Sequence, residues 1–145
     1  MKLCFVCSAG GHFTEALKIY KGLEGEKFFV TFDSPNLRGR KEKIVKVPDT
    51  RRNPVRFLSS FFRQLSVFLE ERPDVIISTG AGIAVPMCIF AKLAGKKIIH
   101  LEIGCNVTKP SLAGRLIYPM ADLLIVEWEN LLDFYPKAKY GGLLI

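Results

Sequence analysis

Short apolar runs alternate along this chain with longer segments whose apolar residues recur every three or four positions. "KLCFV" predicts a buried strand. Behind it, "FTEALKIYKGLEG" carries Phe13, Ala16, Leu17, Ile19, Tyr20 and Leu23 at helical spacing, with Gly22 and Gly25 as stop signals. "KFFVTF" and "KIVKVP" predict two further strands, separated by the polar, basic loop "DSPNLRGRKEK". A helix follows over 53–70. At about 100° per residue, Phe57, Leu58, Phe61, Phe62, Leu65, Phe68 and Leu69 gather within roughly 140° of arc, and Arg52, Arg56, Arg63 and Glu70 fall on the other side. "RPDVIIS" reads as a buried strand, "TGAG" as a second glycine turn and "IAVPMCIFAKLAG" as an apolar helix closed by Gly95. "KKIIHLE" is a strand, "CNVTKPSLAG" a loop and "SLAGRLIYPMA" a short helix. "DLLIV" is a strand, "ENLLDFYP" a helix and "AKYGGLL" a last short segment.

Strands alternating with helices, and strands that are continuous apolar runs, predict a parallel sheet covered on both faces. Six or seven strands make an α/β, doubly wound, Rossmann-like fold, and 145 residues fit one domain over 1–145. Ligands of such sheets bind beyond the carboxyl ends of the strands. Those ends carry "SAGGH", "STGAG" and "LEIGCN", so three loops converge on one edge.

The first loop, with Ser8, Gly10, Gly11 and His12, joins a strand to a helix start. Free backbone N–H groups and the helix dipole make such a corner a site for an anion, phosphate first. It is neither G-x-x-x-x-G-K-[ST] nor G-x-G-x-x-G, and a tight turn with His12 merely nearby is the plainer alternative. The second loop, with Thr79, Gly80 and Gly82, fails as a dinucleotide fingerprint because Val85 stands where a third small residue is needed. It reads better as a second phosphate- or sugar-facing turn. Glu102 ends its strand at the same edge, and His100 lies two residues earlier on the same face. One histidine beside one acid does not make a metal site, so no metal is expected.

Composition narrows the partners without choosing one. There are 21 basic and 14 acidic residues, net +7, which suits a polyanion, a phosphate-rich ligand or an anionic membrane. The sequence begins on a strand, with no signal peptide in view, and its longest apolar run is too short to span a bilayer. The expected location is therefore cytoplasmic, soluble or peripheral. The cysteines stand at 4, 7, 88 and 105, and Cys4 and Cys7 point to opposite faces of a strand, so reduced buried thiols are expected. The helix over 53–70 is either packed by its apolar stripe or laid on anionic lipid, with Arg52, Arg56 and Arg63 supplying charge.

"VCSAGGHFTEAL", "RPDVIISTGAGIAVP", "AKLAGKKIIHLE" and "VTKPSLAGRLIYPMADLLIVEWENLLDFYPKAKYGG" resemble, in order and over nearly the whole chain, the acceptor-side subunit of split glycosyltransferases. That subunit anchors the UDP-N-acetylglucosamine transferase of asparagine-linked glycosylation, and bacterial PssD-type relatives serve capsule and exopolysaccharide assembly. The chain is similar, more distantly, to the N-terminal half of MurG. The resemblance implies the acceptor-binding half of a GT-B enzyme, with a partner subunit binding the UDP-sugar and no activity expected of the chain alone. It implies that Ser8, Gly10, Gly11 and His12 hold the diphosphate of a lipid-linked acceptor, that Thr79, Gly80 and Gly82 line the cleft, and that Glu102 lies at its floor. His12 and Glu102 are then the catalytic candidates. No cofactor and no nucleic acid are implied, and the implied location is peripheral, at the inner face of the cell membrane. The family commonly reads E-S-x-x-R where this chain reads "EIGCNV", so an acceptor contact is lost or moved to Lys109 or Arg115. The apolar end Leu143, Leu144 and Ile145 is either a tucked final strand or the seat of the partner. A non-catalytic scaffold that recruits a transferase to the membrane is the alternative.

Overall fold

The computed structural model describes residues 1–51, 53–104 and 106–143. Seven parallel strands form one sheet: β1 (Lys2–Val6), β2 (Glu26–Thr31), β3 (Ile44–Lys46), β4 (Val75–Ser78), β5 (Lys97–Glu102), β6 (Leu123–Val126) and β7 (Lys139–Tyr140). Their order is β3-β2-β1-β4-β5-β6-β7. The helices are α1 (Gly11–Gly22), α2 (Pro54–Glu71), α3 (Ala84–Leu93) and α4 (Leu112–Ile117). The segment read as a last helix is a 3-10 turn over Glu129–Asp133, and another such turn covers Pro35–Leu37.

The direction in which each crossover travels decides which face each helix covers. Right-handed connections that run outward from β1 to β2 place α1 on one face. After β3 the chain returns across the sheet and then steps through β4, β5 and β6. Accordingly α2, α3 and α4 all pack on the opposite face, around Cys4, Val6, Phe28, Ile76, Met87 and Ile98. On the α1 face, Phe13, Ala16 and Leu17 of α1 and Leu37 cover Phe5, Phe29 and Ile77. The expectation of a sheet covered on both faces therefore holds for β1 and β2 and fails toward β6. There Ile99, Leu123 and Ile125 remain half-buried, while Ile98, Leu124 and Val126 on the other side are sealed. The open half forms an apolar trough of about 330 Å³, lined by Ile19, Leu23, Ile99, Leu123, Ile125 and, at one end, Glu127.

Helix α2 starts cleanly. The Asn53 side chain accepts hydrogen bonds from the backbone N–H groups of Val55 (2.9 Å) and Arg56 (3.3 Å), and Pro54 opens the first turn. It buries only part of its apolar stripe. The buried positions are Ser60, Gln64, Val67 and Phe68. Gln64 donates to the Ser60 hydroxyl at 3.3 Å, so this polar pair is bonded to itself within the buried side of the helix, with Gln64 Oε1 left unpartnered. Phe61 and Phe68 close the contact on Phe90 of α3 at ring distances of 4.9 and 6.1 Å. Rotated in this way, the helix leaves Leu58 54%, Phe62 57% and Leu69 61% exposed. Arg56 and Arg63 are exposed as well, and Arg52 lies outside the described residues. Among the described residues no helix is long and apolar enough to cross a membrane.

Cys4, Cys7 and Cys88 are free and buried. Cys4 and Cys7 belong to the cores on opposite faces. Burial pushes the Cys7 and Cys88 thiols up to about 12, which keeps them protonated and inert.

Candidate functional site at the carboxyl edge of the sheet

The first glycine turn leaves β1 and enters α1 through Gly10, whose φ of 141° and ψ of −137° only glycine adopts without strain. No side chain caps α1, and no acidic residue stands in its first turn. The leading N–H groups of the helix thus carry their partial positive charge uncompensated by protein. Ser8 and Gly10 are half-buried and Gly11 is exposed.

His12 does not hang free beside this turn. Its Nδ1 lies 2.6 Å from the carbonyl oxygen of Thr79, and the Thr79 hydroxyl donates to the His12 carbonyl oxygen at 2.9 Å. A carbonyl only accepts, so Nδ1 carries the ring proton and Nε2 carries the lone pair. The second turn supports this pair closely. Gly80 has φ 111° and Ala81 φ 68°. A Cβ on Gly80 would stand 2.9 Å from His12 Cε1, so only glycine leaves the imidazole its place. Thr79 and Gly80 are buried and their polar groups are used internally, whereas Gly82 is exposed. The two glycine turns, far apart in sequence, are one stitched unit at the ends of β1 and β4.

Glu102 is not at an open edge. It is 2% exposed, on the face covered by α4. One carboxylate oxygen accepts from Asn106 Nδ2 (2.7 Å) and the Ser111 backbone N–H (3.2 Å), and the other accepts from the Tyr135 hydroxyl (2.9 Å). Burial works against its charge. The neighbouring His100 and the hydrogen bonds from Ser111 and Tyr135 outweigh it, so the carboxyl sits below its ordinary range. The same contact drives the Tyr135 phenol upward, burial first and the adjacent carboxylate second. Gly114 of α4 has to be glycine here, because a Cβ would overlap the Glu102 carboxylate. Asn106 thus occupies the position where the resemblance leads one to look for arginine, and it is bonded to Glu102. Lys109 and Arg115, the alternative cations, are exposed. Sequence reading missed Ser78, Ser111 and Tyr135. Only Ser111 had a local signal, as the serine that caps α4 through a 2.8 Å bond from Gly114 N–H.

Leu143 is 48% exposed, and Leu144 and Ile145 lie outside the described residues. Among the described residues no cluster of metal-ligating side chains occurs.

Solved structures define the class. The chain superposes on Acinetobacter baumannii MurG with a TM-score of 0.74 at 18% identity, covering 90% of this chain and 42% of that one. It superposes on the Rickettsia bellii UDP-N-acetylglucosamine 2-epimerase with a TM-score of 0.76 at 14% identity, covering 98% and 44%. It is a Rossmann-like lobe of the GT-B kind, and it spans under half of these chains.

Sequence comparison is more specific. The family model "Oligosaccharide biosynthesis protein Alg14 like" matches residues 39–144, and the chain belongs to that family. Relatives bearing the name UDP-N-acetylglucosamine transferase subunit ALG14 include the mouse protein, 26% identical over all of this chain and 83% of the relative. The Candida albicans protein is 29% identical over 99% of this chain and 78% of the relative.

Proposed function

We propose that this chain is the acceptor-binding subunit of a two-component glycosyltransferase. It would hold a lipid-linked diphosphate sugar while a partner subunit presents the UDP-sugar. The observation that carries the reading is the bonded pair His12–Thr79 at the uncapped N-terminus of α1. A diphosphate beside Ser8, Gly10 and Gly11 would accept from the leading N–H groups of the helix. His12, with its proton fixed on Nδ1, offers Nε2 as hydrogen-bond acceptor or general base for the acceptor hydroxyl that attacks the anomeric carbon. Thr79 and Gly80 hold the imidazole rather than touch the diphosphate, and Gly82 lines the rim. Glu102, sealed and fully bonded, is a positioning residue for the loop from Ile103 to Ser111, not a group in contact with substrate.

The partner's seat in this reading is the trough over β5 and β6, continuous with the chain end at Leu143. Parallel sheets require cover on both faces, and the apolar side chains of Ile99, Leu123 and Ile125 are half-exposed there. The UDP-sugar-binding subunit is the occupant that both covers this face and completes the cleft. The membrane contact is the exposed face of α2, where Leu58, Phe62 and Leu69 would enter lipid and Arg56 and Arg63 meet anionic headgroups. With that contact the complex would sit at the inner face of the cell membrane, on the cytoplasmic side.

The test is co-expression with a UDP-sugar-binding partner and assay on a lipid-linked diphosphate acceptor. Transfer by the pair, lost with His12→Gln, is the expected result. Undiminished transfer by the His12→Gln pair would leave the chain as a recruiting scaffold, and transfer by this chain alone would overturn the two-component reading.

A further inference from the structure

His100 is a buried ionisable side chain that the reading above does not use. It is 0% exposed and lies on β5 opposite Ser78 of β4, two residues before Glu102 on the same face. The Ser78 hydroxyl oxygen accepts the Gly80 backbone N–H at 3.2 Å and lies 3.1 Å from His100 Nδ1. Among the described residues Ser78 Oγ makes no further hydrogen bond, and we assign its proton to Nδ1. The ring proton is then on Nε2, which lies 3.8 Å from a Glu102 carboxylate oxygen with no closer partner. The opposite tautomer would turn a lone pair toward that carboxylate.

The order Ser78, His100, Glu102 imitates a nucleophile triad, yet all three are sealed, at 0%, 0% and 2% exposure, so no substrate reaches them. What the row does is connect. At one end stands the glycine turn, whose Thr79 carbonyl holds His12 and whose Gly80 N–H holds Ser78. At the other stands Glu102, which holds Asn106, Ser111 and Tyr135. An aliphatic residue, such as Ile98 one step back on the same face, would pack at position 100 without an unpaired polar atom. The imidazole earns explanation by the two turns it joins.

We infer that His100 is a positioning residue that couples the loop from Ile103 to Ser111 to the turn holding His12, so that the arrangement of that loop sets the pose of the His12 imidazole. The inference rests on the reading that His12 faces the acceptor. Its tests use the free chain and need neither acceptor nor sugar, so failure of sugar transfer and failure of the coupling are separately visible.

The first test is the imidazole ¹⁵N–¹H correlation spectrum of the unmutated chain. His100 is expected as the Nε2–H tautomer and His12 as the Nδ1–H tautomer. Finding His100 as Nδ1–H breaks the row at Glu102 and overturns the inference. The second is amide exchange by NMR. Glu102→Gln is expected to speed exchange at Gly80 by about five-fold, and to have no such effect in a His100→Phe background, where the ring is kept and the hydrogen bonds are not. Unchanged Gly80 exchange in Glu102→Gln, with Ser111 exchange raised, overturns the coupling. So does an equal rise in both backgrounds. Should His100→Phe fail to fold, the tautomer measurement and the Glu102→Gln response of Gly80 decide the matter by themselves.

Discussion

His12 Nδ1 lies 2.6 Å from the Thr79 carbonyl oxygen, and the Thr79 hydroxyl returns a bond to the His12 carbonyl oxygen at 2.9 Å. Two turns 67 residues apart in sequence thereby fix one imidazole in one tautomer at the start of a helix. His12→Ala removes one of these bonds from a half-buried site, which costs about 1 kcal/mol. The fold should persist, with unchanged circular dichroism. Transfer by the complex should fall by about 10²–10⁴ if His12 acts as base. A fall of only a few-fold would leave it a binding contact.

Gly80→Ala should act on His12 without touching it chemically. The new Cβ meets the imidazole, and φ 111° strains any L side chain. We expect a stability loss of about 1–3 kcal/mol together with a loss of transfer close to that of His12→Ala. A Gly80→Ala complex that melts lower but keeps full transfer would separate the turn from the chemistry.

The Glu102 clamp predicts a pH dependence. Its carboxyl lies below the ordinary value of 4.5 in the folded state. A lowered folded value contributes stability that is complete above pH 4.5 and is lost as pH falls through the folded value. Amides from Ile103 to Ser111 should therefore lose exchange protection in acid, starting below pH 4.5. Glu102→Gln should remove that step and cost about 2 kcal/mol at neutral pH, since buried bonds to a charged acceptor are lost. Thermal melting and exchange against pH measure both.

The exposed face of α2 should bind lipid at little cost to the fold. Leu58→Ser, Phe62→Ser and Leu69→Ser together change solvent-facing positions and should alter stability by well under 2 kcal/mol. Sedimentation with anionic vesicles should fall, and Arg56→Gln with Arg63→Gln should weaken it in a salt-dependent manner, by about 1 kcal/mol per charge. Equal sedimentation of parent and variants would remove α2 from the membrane.

The trough predicts where the partner sits. Leu23→Gln with Leu123→Gln places amides on its rim, where both leucines are only partly buried. The chain should stay folded and lose co-purification with the UDP-sugar-binding subunit. Retained capture would move the interface away from β5 and β6.

Much of this protein was determined by the sequence alone. Apolar runs too continuous for a one-sided sheet dictated parallel strands between helices, and Gly10 and Gly80 marked turns that no other residue makes without strain. The convergence of "SAGGH", "STGAG" and "LEIGCN" on one edge follows from strand direction, which is a local property. The tertiary structure decided the rest, because it depended on what lies opposite. Helical spacing located the apolar arc of α2, but the burial of Ser60 and Gln64 and the packing of Phe61 and Phe68 on Phe90 of α3 decided that most of the arc faces outward. Glu102 read as an edge acid until Tyr135 and the start of α4 closed over it, contacts that come from distant segments. The pairing of His12 with Thr79 has no signature in either turn, since it exists only once β1 and β4 lie side by side. The open half of the sheet follows from the handedness of successive crossovers, which a pattern of apolar and polar residues does not encode.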